Sequence, residues 1–489
     1  MAGTKRRRNP LLLRLAVQVT SPPKSPLLAV LLAVPATSPL NSPPLAVLPA
    51  VQVTSPLKSP LLAVLPAVPA INPLNSPLLA VLPAVQAISP LKSLPLAVLP
   101  AVQATSSKSR STLQENNLGA YFRGCNSCYA FGNTSHLNKE DNMKQYFSFQ
   151  WHITDECDQR CKHCYIFSEN CNKKLDAMSC QQMQDTFYNC LDFCKVYDRL
   201  PYFYITGGDP ILHPDFWKLL ELMKQHSVPF TILGNPFHLT DEVCRRLREY
   251  GCEKYQLSID GLRETHDWFR KPGSFDITLD KIGCINRAGI RSVVMTTVSG
   301  TNIDEVPGII DAVVAAGVNV FAFARYCPTS GEKDVGIEPM RYRKLLSDCD
   351  KKFKEYEAKG CQTYFNKKDH LWTLYEYETG SFKIPETVED GMIYGGCNCG
   401  NCHLTILPTG DVYACRRVQN SKVGNVFADR LADVWVCKME QYREYKKFEK
   451  CSKCELLAFC RGCPAVASGK DGNFYAADPQ CWKEIKEDA

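Results

Sequence analysis

The first 110 residues contain no aspartate, no glutamate and no aromatic residue, and the first aromatic side chain is Tyr121. The large side chains that form cores are therefore missing from this stretch. Proline recurs every few residues, which excludes long helices and sheet interiors. No proline-free apolar run approaches the roughly 20 residues that a membrane span needs. We expect neither a folded domain nor a membrane helix here.

The same stretch is repetitive. Residues 25 to about 105 repeat with a period of 17, as in "PLLAVLPAVPAINPLNS" from Pro60 and "PLLAVLPAVQAISPLKS" from Pro77. We expect residues 1–111 to be disordered, or to be a translated DNA repeat that precedes the true start of the protein.

The true start is expected at Met143, which opens a strand-like run. Residues 112–142 form a linker in this interpretation, and Cys125 and Cys128 within it receive no role. The basic and then apolar beginning, "MAGTKRRRNPLLLRLAV", has the order of a targeting signal, but proline and Arg14 interrupt it.

The part of the chain able to fold has no basic excess, although the net charge of the whole is +6. Ten of the 57 Lys and Arg residues lie in residues 1–110, so the remainder holds 47 basic and 51 acidic residues. This balance predicts that nucleic acid is not a partner.

Cysteine is abundant instead. The chain has 25 cysteines, most of them in two groups, and it is too long for a small disulfide scaffold. A protein of this kind usually collects thiolates to bind soft metals or clusters.

From Tyr146 onwards strands alternate with helices. Strand-like runs are "YFSFQWHIT", "PYFYIT", "PFTIL", "YQLSI", "RSVVMTTV" and "NVFAFAR", and amphipathic stretches such as "DFWKLLELMKQHS" and "TDEVCRRLREYG" separate them, with Asp or Thr as caps. Six such βα units predict an α/β fold with a parallel sheet. A charged helix, "EPMRYRKLLSDCDKKFKEYEAKG", and a cysteine-rich end follow.

Three cysteines follow the first strand in "ITDECDQRCKHCYIF", as Cys157, Cys161 and Cys164. Loops at the carboxyl ends of parallel strands are where α/β enzymes place their chemistry. Three thiolates can hold three irons of a [4Fe-4S] cluster and leave the fourth iron open. A zinc site is the alternative, with His163 as the fourth ligand, but these adjacent ligands would be strained.

This spacing resembles the signature of the radical S-adenosylmethionine (SAM) enzymes, and further motifs follow in the family's order. "TGGDP" resembles the glycine-glycine-acid motif, with Asp209 where the family more often has Glu, and "LSIDG" resembles the ribose-contacting segment. The resemblance implies a partial (β/α)6 barrel over residues 143–335 and SAM contacts from His163, Gly207, Gly208, Asp209, Asn235, Ser258, Asp260 and Arg270. For Asn235 and Asp260, turn capping is the alternative. Whether Arg325 faces the cavity is left open.

The carboxyl-terminal cysteines resemble a SPASM domain, the auxiliary-cluster extension of radical SAM enzymes. The similarity implies a bridging helical region at 336–395, a SPASM domain at 396–489 and two auxiliary [4Fe-4S] clusters. The implied ligands are Cys397, Cys402, Cys415 and Cys463 for the first cluster, with Cys399 as the alternative to Cys402, and Cys451, Cys454, Cys460 and Cys481 for the second. Two zinc-binding Cys-x2-Cys pairs are the rival, but five residues between pairs is too short for a zinc ribbon.

Other cysteines are expected to be small buried hydrophobes on predicted helices. They are Cys190, Cys194, Cys244, Cys252 and Cys284.

The resemblance implies an enzyme that cleaves SAM to a 5′-deoxyadenosyl radical and modifies a ribosomally made cysteine-rich peptide, for example by forming a thioether. The alternatives are a sulfatase-type maturase that forms formylglycine, and, in another class, an electron-transfer or zinc-binding module. The expected partners are the precursor peptide and a flavodoxin or ferredoxin as electron donor. A separate recognition protein presents the peptide, or the peptide binds directly in the barrel. The lability of such clusters to oxygen predicts a cytoplasmic location.

Overall fold

The structure is a computed structural model that describes residues 145–167, 174–328 and 336–485. The predictions for the repeats, for the linker and for Cys125 and Cys128 lie outside these ranges. Within them, no helix has both the length and the apolar character that crossing a membrane requires.

The centre of the fold is one ten-stranded sheet with the order β10-β9-β8-β1-β2-β3-β4-β5-β6-β7. Strands β1 to β7 run parallel, β8 joins β1 in parallel, and β9 and β10 run antiparallel. The strands are β1 (Tyr146–Thr154), β2 (Leu200–Gly207), β3 (Phe230–Leu233), β4 (Cys252–Ser258), β5 (Arg291–Val298), β6 (Val320–Arg325), β7 (Tyr364–Asn366), β8 (His403–Ile406), β9 (Asp411–Tyr413) and β10 (Lys422–Asn425).

Helices connect the parallel strands, as predicted. In chain order the α-helices are α1 (Cys180–Val196), α2 (Phe216–Gln225), α3 (Asp241–Glu249), α4 (Arg263–Phe269), α5 (Ser274–Arg287), α6 (Val306–Ala315), α7 (Pro339–Ala358), α8 (Leu371–Glu378), α9 (Leu431–Cys437) and α10 (Pro464–Asp471). The expected α/β architecture of successive βα units is confirmed. The bridging region adds α7, β7 and α8, so the sheet gains a seventh parallel strand beyond the six predicted.

Helix caps follow the local sequence in part. Thr240 accepts a hydrogen bond from the Val243 N–H and caps α3, as the sequence predicted. Asp215 stands at the same position of α2 but makes no cap bond, because its carboxylate pairs with Lys218 at 2.7 Å. A capping box that links Ser179 and Gln182 starts α1.

Strand β1 shows how the alternation of side chains sorts the two faces of the sheet. Phe147 and Phe149 are fully buried on one face, against helices α1 and α9. The ring of Phe147 lies 4.4 Å from that of Phe193 and 5.0 Å from that of Trp435, the latter edge-on. The other face of β1, with Gln150, is the inner face of the partial barrel.

The buried cysteines outside the clusters are hydrophobic core residues, as predicted. The expected secondary structure of Cys252 was wrong, because this residue begins β4 and does not lie on a helix. Gly251, with φ of +96°, ends the preceding turn, and Cys252 is fully buried between strands as its side chain alternates with the exposed Glu253.

Candidate active site

The three-cysteine loop starts where β1 ends, at the carboxyl edge of the sheet. Cys157, Cys161 and Cys164 are all half-buried. The Lys162 N–H donates to the carbonyl of Phe269 at the end of α4, with an N···O distance of 2.9 Å. This backbone bond fixes the loop against the segment that follows β4.

The glycine pair of "TGGDP" lets β2 approach this loop. A side chain at Gly207, whose φ is +140°, would collide with the carbonyl oxygen of Thr154, and one at Gly208 with that of Glu156. The N–H groups of Gly208 and Asp209 donate to these same carbonyls at 2.8 and 2.7 Å. The amides of Gly208 and Asp209 are therefore engaged, and the Asp209 carboxylate is an acceptor left for a ligand.

Asp209 is fully buried, and neither of its carboxylate oxygens has a hydrogen bond of normal geometry. Burial, and then the charge of Asp158, raises the pKa of Asp209 to about 7, although the backbone amides of Ile211 and Asn235 oppose this. An oxygen of each carboxylate and a ring nitrogen of His238 lie within 4.8 Å of one another. This concentration of acceptors suits a cationic group such as an ammonium.

Asp260 organises the opposite side of the loop. Its Oδ2 accepts from Arg270 at 2.6 Å and lies 3.2 Å from the His163 Nε2, and its Oδ1 accepts from the Thr297 N–H at 2.8 Å. Burial acts to raise the pKa of Asp260, but Arg270 and His163 outweigh it and hold that pKa far below its usual range. Because both oxygens are occupied, Asp260 positions Arg270 and His163.

Arg270 points from this pair towards the loop, and its Nη1 lies 3.8 Å from the Cys161 sulfur. Asn235 reaches the loop from the end of β3, donating to Asp158 at 2.6 Å, with its amide nitrogen 3.9 Å from the Cys157 sulfur. Its oxygen also accepts from the Phe237 N–H, which is the turn-capping role that the sequence left open. Ser258 is half-buried at the end of β4, at the same edge.

Four carboxyl-terminal thiols lie close to one another. Burial, and then the charges of Cys460, Cys481 and Cys454, raises the pKa of Cys451 to about 12. These are the four residues that the sequence assigned to the second auxiliary cluster.

A second group of thiols surrounds Cys397. Burial, and then the charges of Cys463 and Cys415, raises the pKa of Cys397 to about 12. Burial and the charges of Cys397 and Cys415 likewise raise the pKa of Cys399 well above its usual value. Cys402 is buried nearby, and its carbonyl accepts from the Ser148 N–H of β1 at 3.0 Å.

Sequence reasoning missed Cys327, which follows β6. A hydrogen bond with the Cys463 thiol is the largest influence that raises the pKa of Cys327, and Cys415 lies close to it as well. The signal was present, because "FARYCP" places a cysteine at the same carboxyl edge as the three-cysteine loop.

Arg325 does not face the cavity. It is fully buried and bridges Asp369, 2.9 Å from its Nε, to Asp478 and Gln480 near the carboxyl terminus, which accept from its terminal nitrogens at 2.8 to 2.9 Å. Asp478 also accepts from the Cys463 N–H at 2.7 Å. Arg325 therefore ties the end of β6 to the cysteine-rich region.

Residues 151–313 match the radical SAM superfamily, and residues 397–464 match SPASM, an iron–sulfur cluster-binding domain. The chain combines a radical SAM domain with a SPASM domain. Its cofactors are a [4Fe-4S] cluster with SAM in the first domain and auxiliary iron–sulfur clusters in the second.

Proteins of known activity resemble this radical SAM chain along most of its folded length. It is 25% identical over 345 residues to the AdoMet-dependent heme synthase of Nitratidesulfovibrio vulgaris, covering 68% of this chain and 90% of the relative. It is 27% identical over 297 residues to the mycofactocin maturase MftC of Mycobacterium tuberculosis, covering 58% and 69%.

Among solved structures, Streptococcus suis SuiB bound to S-adenosylmethionine superposes with a TM-score of 0.55 at 20% identity, covering 69% of this chain and 77% of SuiB. anSMEcpe with bound AdoMet superposes with a TM-score of 0.55 at 18% identity, covering 68% and 94%. At these identities the likeness establishes the fold.

The residues of the radical SAM site fit SAM and its cluster. The unsatisfied Asp209 carboxylate suits the ammonium of the methionyl group. The three thiols of the loop leave one iron of a [4Fe-4S] cluster without a cysteine ligand.

Proposed function

We propose that this enzyme modifies a ribosomally made, cysteine-rich peptide by joining a cysteine sulfur to a carbon in a thioether bond. The proposal rests on two groups of residues at one edge of the sheet. The first is the three-cysteine loop with the buried, unsatisfied Asp209. The second is the set of SPASM thiols, which Arg325 connects to the same edge.

The similar proteins support a peptide substrate. Mycofactocin maturase is named as a maturase, SuiB has been solved with its precursor peptide SuiA, and anSMEcpe with the Kp18Cys peptide. The SuiB complex superposes on this chain with a TM-score of 0.55, and the anSMEcpe complex with 0.53.

The proposed roles of the chain's own residues follow from their positions. Cys157, Cys161 and Cys164 hold the SAM cluster, while His163, Gly207, Gly208, Asp209, Asn235, Ser258 and Arg270 bind or orient SAM, with Asp260 holding Arg270 and His163 in place. Cys397, Cys402, Cys415 and Cys463, with Cys399 as the alternative to Cys402, hold the first auxiliary cluster, and Cys451, Cys454, Cys460 and Cys481 the second.

Thioether formation removes one hydrogen from carbon and one from sulfur. When bound, SAM and its cluster supply the 5′-deoxyadenosyl radical that takes the hydrogen atom from carbon, and the auxiliary clusters supply an acceptor for the second electron. The thiol hydrogen leaves as a proton. The protein must also keep solvent away from the reacting carbon.

The proposal includes two protein partners and a location. A flavodoxin or ferredoxin supplies the electron, and a separate recognition protein presents the peptide. The sensitivity of the clusters to oxygen favours the cytoplasm.

The test is co-expression with any short cysteine-rich peptide that the neighbouring genes encode, followed by mass spectrometry. We expect a mass decrease equal to two hydrogen atoms, absent when Cys157, Cys161 and Cys164 are replaced by alanine. The cluster-loaded enzyme must also form 5′-deoxyadenosine under reducing conditions, and its failure to do so would remove the proposal.

A second candidate is modification of a heme precursor. It is favoured by the 25% identity to AdoMet-dependent heme synthase, which extends over 90% of that protein. Incubating the peptide and a heme precursor separately with reduced enzyme and SAM distinguishes the two candidates. A mass change in the heme precursor, with none in the peptide, supports heme-precursor modification. Formylglycine formation in a neighbouring sulfatase would instead appear as replacement of a cysteine thiol by an aldehyde.

A further inference from the structure

Two consecutive arginines of the SPASM domain lie over one tyrosine of the three-cysteine loop. The guanidinium carbons of Arg416 and Arg417 are 4.6 and 4.4 Å from the centre of the Tyr165 ring. All three side chains are half-buried. Tyr165 directly follows Cys164, and the arginines directly follow Cys415, so this contact joins the two cluster-binding regions of the chain.

The two positive charges have no carboxylate partner among the described residues. The Arg416 Nε is buried without a hydrogen-bond partner. The ionisable side chains with the largest electrostatic influence on Arg417 are Tyr165, Cys327, Cys415 and Cys164, none of them an acid of the Asp or Glu type. A guanidinium withdrawn from water without a paired anion is unfavourable.

A third cation lies close by. Burial, and then the charge of Arg417, lowers the pKa of Lys368, which follows β7, to about 8. Three basic side chains from two regions of the chain thus lie close together, two of them over Tyr165 of the three-cysteine loop. Such a concentration of like charge suits an anionic ligand.

We propose that Arg416 and Arg417 bind a carboxylate of the substrate between the three-cysteine loop and the SPASM domain. The inference rests on the proposed function, since it assigns a chemical class to the group that this enzyme's substrate presents. Arginine is suited to the role because its planar fork donates two parallel hydrogen bonds to a carboxylate. In a peptide, that carboxylate belongs to an Asp or Glu side chain or to the carboxyl terminus.

Protection from an arginine-specific reagent tests the site without knowledge of the natural substrate. The cluster-loaded, SAM-saturated full chain is treated with phenylglyoxal, and modification of Arg416 and Arg417 is measured by mass spectrometry. The probes are acetyl-aspartate N-methylamide for a side-chain carboxylate and acetylglycine for a terminal one. Their controls are acetyl-asparagine N-methylamide and acetylglycinamide.

We expect at least one carboxylate probe to slow modification of both arginines several-fold, and its amide to have no effect. The probe that protects identifies the source of the carboxylate. Arg246 is the matched control residue, since it is also half-buried and lies 3.9 Å from the Trp217 ring, on the outer helix α3. No probe should protect it.

Two outcomes overturn the inference. Equal protection by a carboxylate and its amide means that the arginines recognise no charge. Complete protection by SAM alone, with no further effect of any probe, means that they bind the carboxylate of SAM.

Variants supply the second measurement. Arg417→Gln is expected to raise the KM for the peptide substrate at least tenfold, whereas Arg246→Gln leaves this KM unchanged. A fall in iron content of Arg417→Gln with an unchanged KM would instead assign the arginine to a cluster and overturn the inference. Probe protection requires no turnover, so its result is independent of the test of the proposed function. The proposed function is refuted when no peptide changes mass.

Discussion

The three-cysteine loop and the SPASM thiols are both proposed to hold iron–sulfur clusters but are assembled differently. Cys157, Cys161 and Cys164 come from eight consecutive residues directly after one strand. The SPASM thiols come from residues 397–481, and long-range contacts hold them, such as Arg461 to the carbonyl of Cys397 at 2.8 Å. A local loop depends on the spacing of its own residues, whereas a dispersed group depends on the packing of the whole fold.

The two regions also differ in what fixes them to the sheet. The loop is held by backbone bonds that the glycine pair of β2 makes possible. The SPASM region is held by the backbone pairing of β8 with β1 and, in addition, by charged side chains, with Asp478 shared between Arg325 and the amide of Cys463. A single substitution in the SPASM region should therefore lower the stability of the fold more than a single substitution in the three-cysteine loop.

The largest effect is expected for removal of the loop thiols. Replacing Cys157, Cys161 and Cys164 with alanine should reduce 5′-deoxyadenosine below detection and lower the iron content by about four per chain. Liquid chromatography and iron analysis measure both. Cys180→Ala, an exposed thiol at the start of α1, is the control and should change neither. Undiminished SAM turnover in the triple variant would refute the assignment.

Arg325→Gln should be the most damaging single change at the junction. It leaves the buried carboxylates of Asp369 and Asp478 without their cation, for which we expect a loss of about 3–5 kcal/mol in the free energy of unfolding. Denaturant unfolding measures this. The control is Arg341→Gln, which removes an exposed pair with Asp304 and should cost less than about 1 kcal/mol. Equal losses in the two variants would contradict the comparison.

Gly208→Ala tests how closely the loop depends on β2. The new Cβ would collide with the carbonyl of Glu156, so the three-cysteine loop must shift. We expect SAM affinity to fall at least tenfold, or about 1.4 kcal/mol, in equilibrium binding. Gly336→Ala, with no atom near its Cβ, should bind SAM normally. Normal binding by both variants would show that the loop adapts.

Ser179→Ala should have the smallest effect. It removes the side chain that caps α1, whose buried face supports β1, and should cost about 1 kcal/mol of stability by thermal or denaturant unfolding. Iron content should remain normal. A loss of iron would show that the cluster loop is sensitive even to its outer helix.

Particular residues show where sequence reasoning stopped. Spacing alone marked Cys157, Cys161 and Cys164, and the order of motifs marked Asp209. Sequence reasoning left the role of Arg325 undecided and overlooked Cys327. Each role depends on a partner more than one hundred residues away in the sequence, Asp478 for Arg325 and Cys463 for Cys327.

Short-range sequence patterns by themselves determined the alternation of strands and helices, the three-cysteine loop and the group of cysteines at the end of the chain. Each of these features depends on residues that are close to one another in sequence. Tertiary structure alone decided that β8 extends the sheet beside β1, that Arg325 is buried between two acids, and that Arg416 and Arg417 meet Tyr165. Contacts of this kind arise from packing between distant segments, which local sequence does not encode.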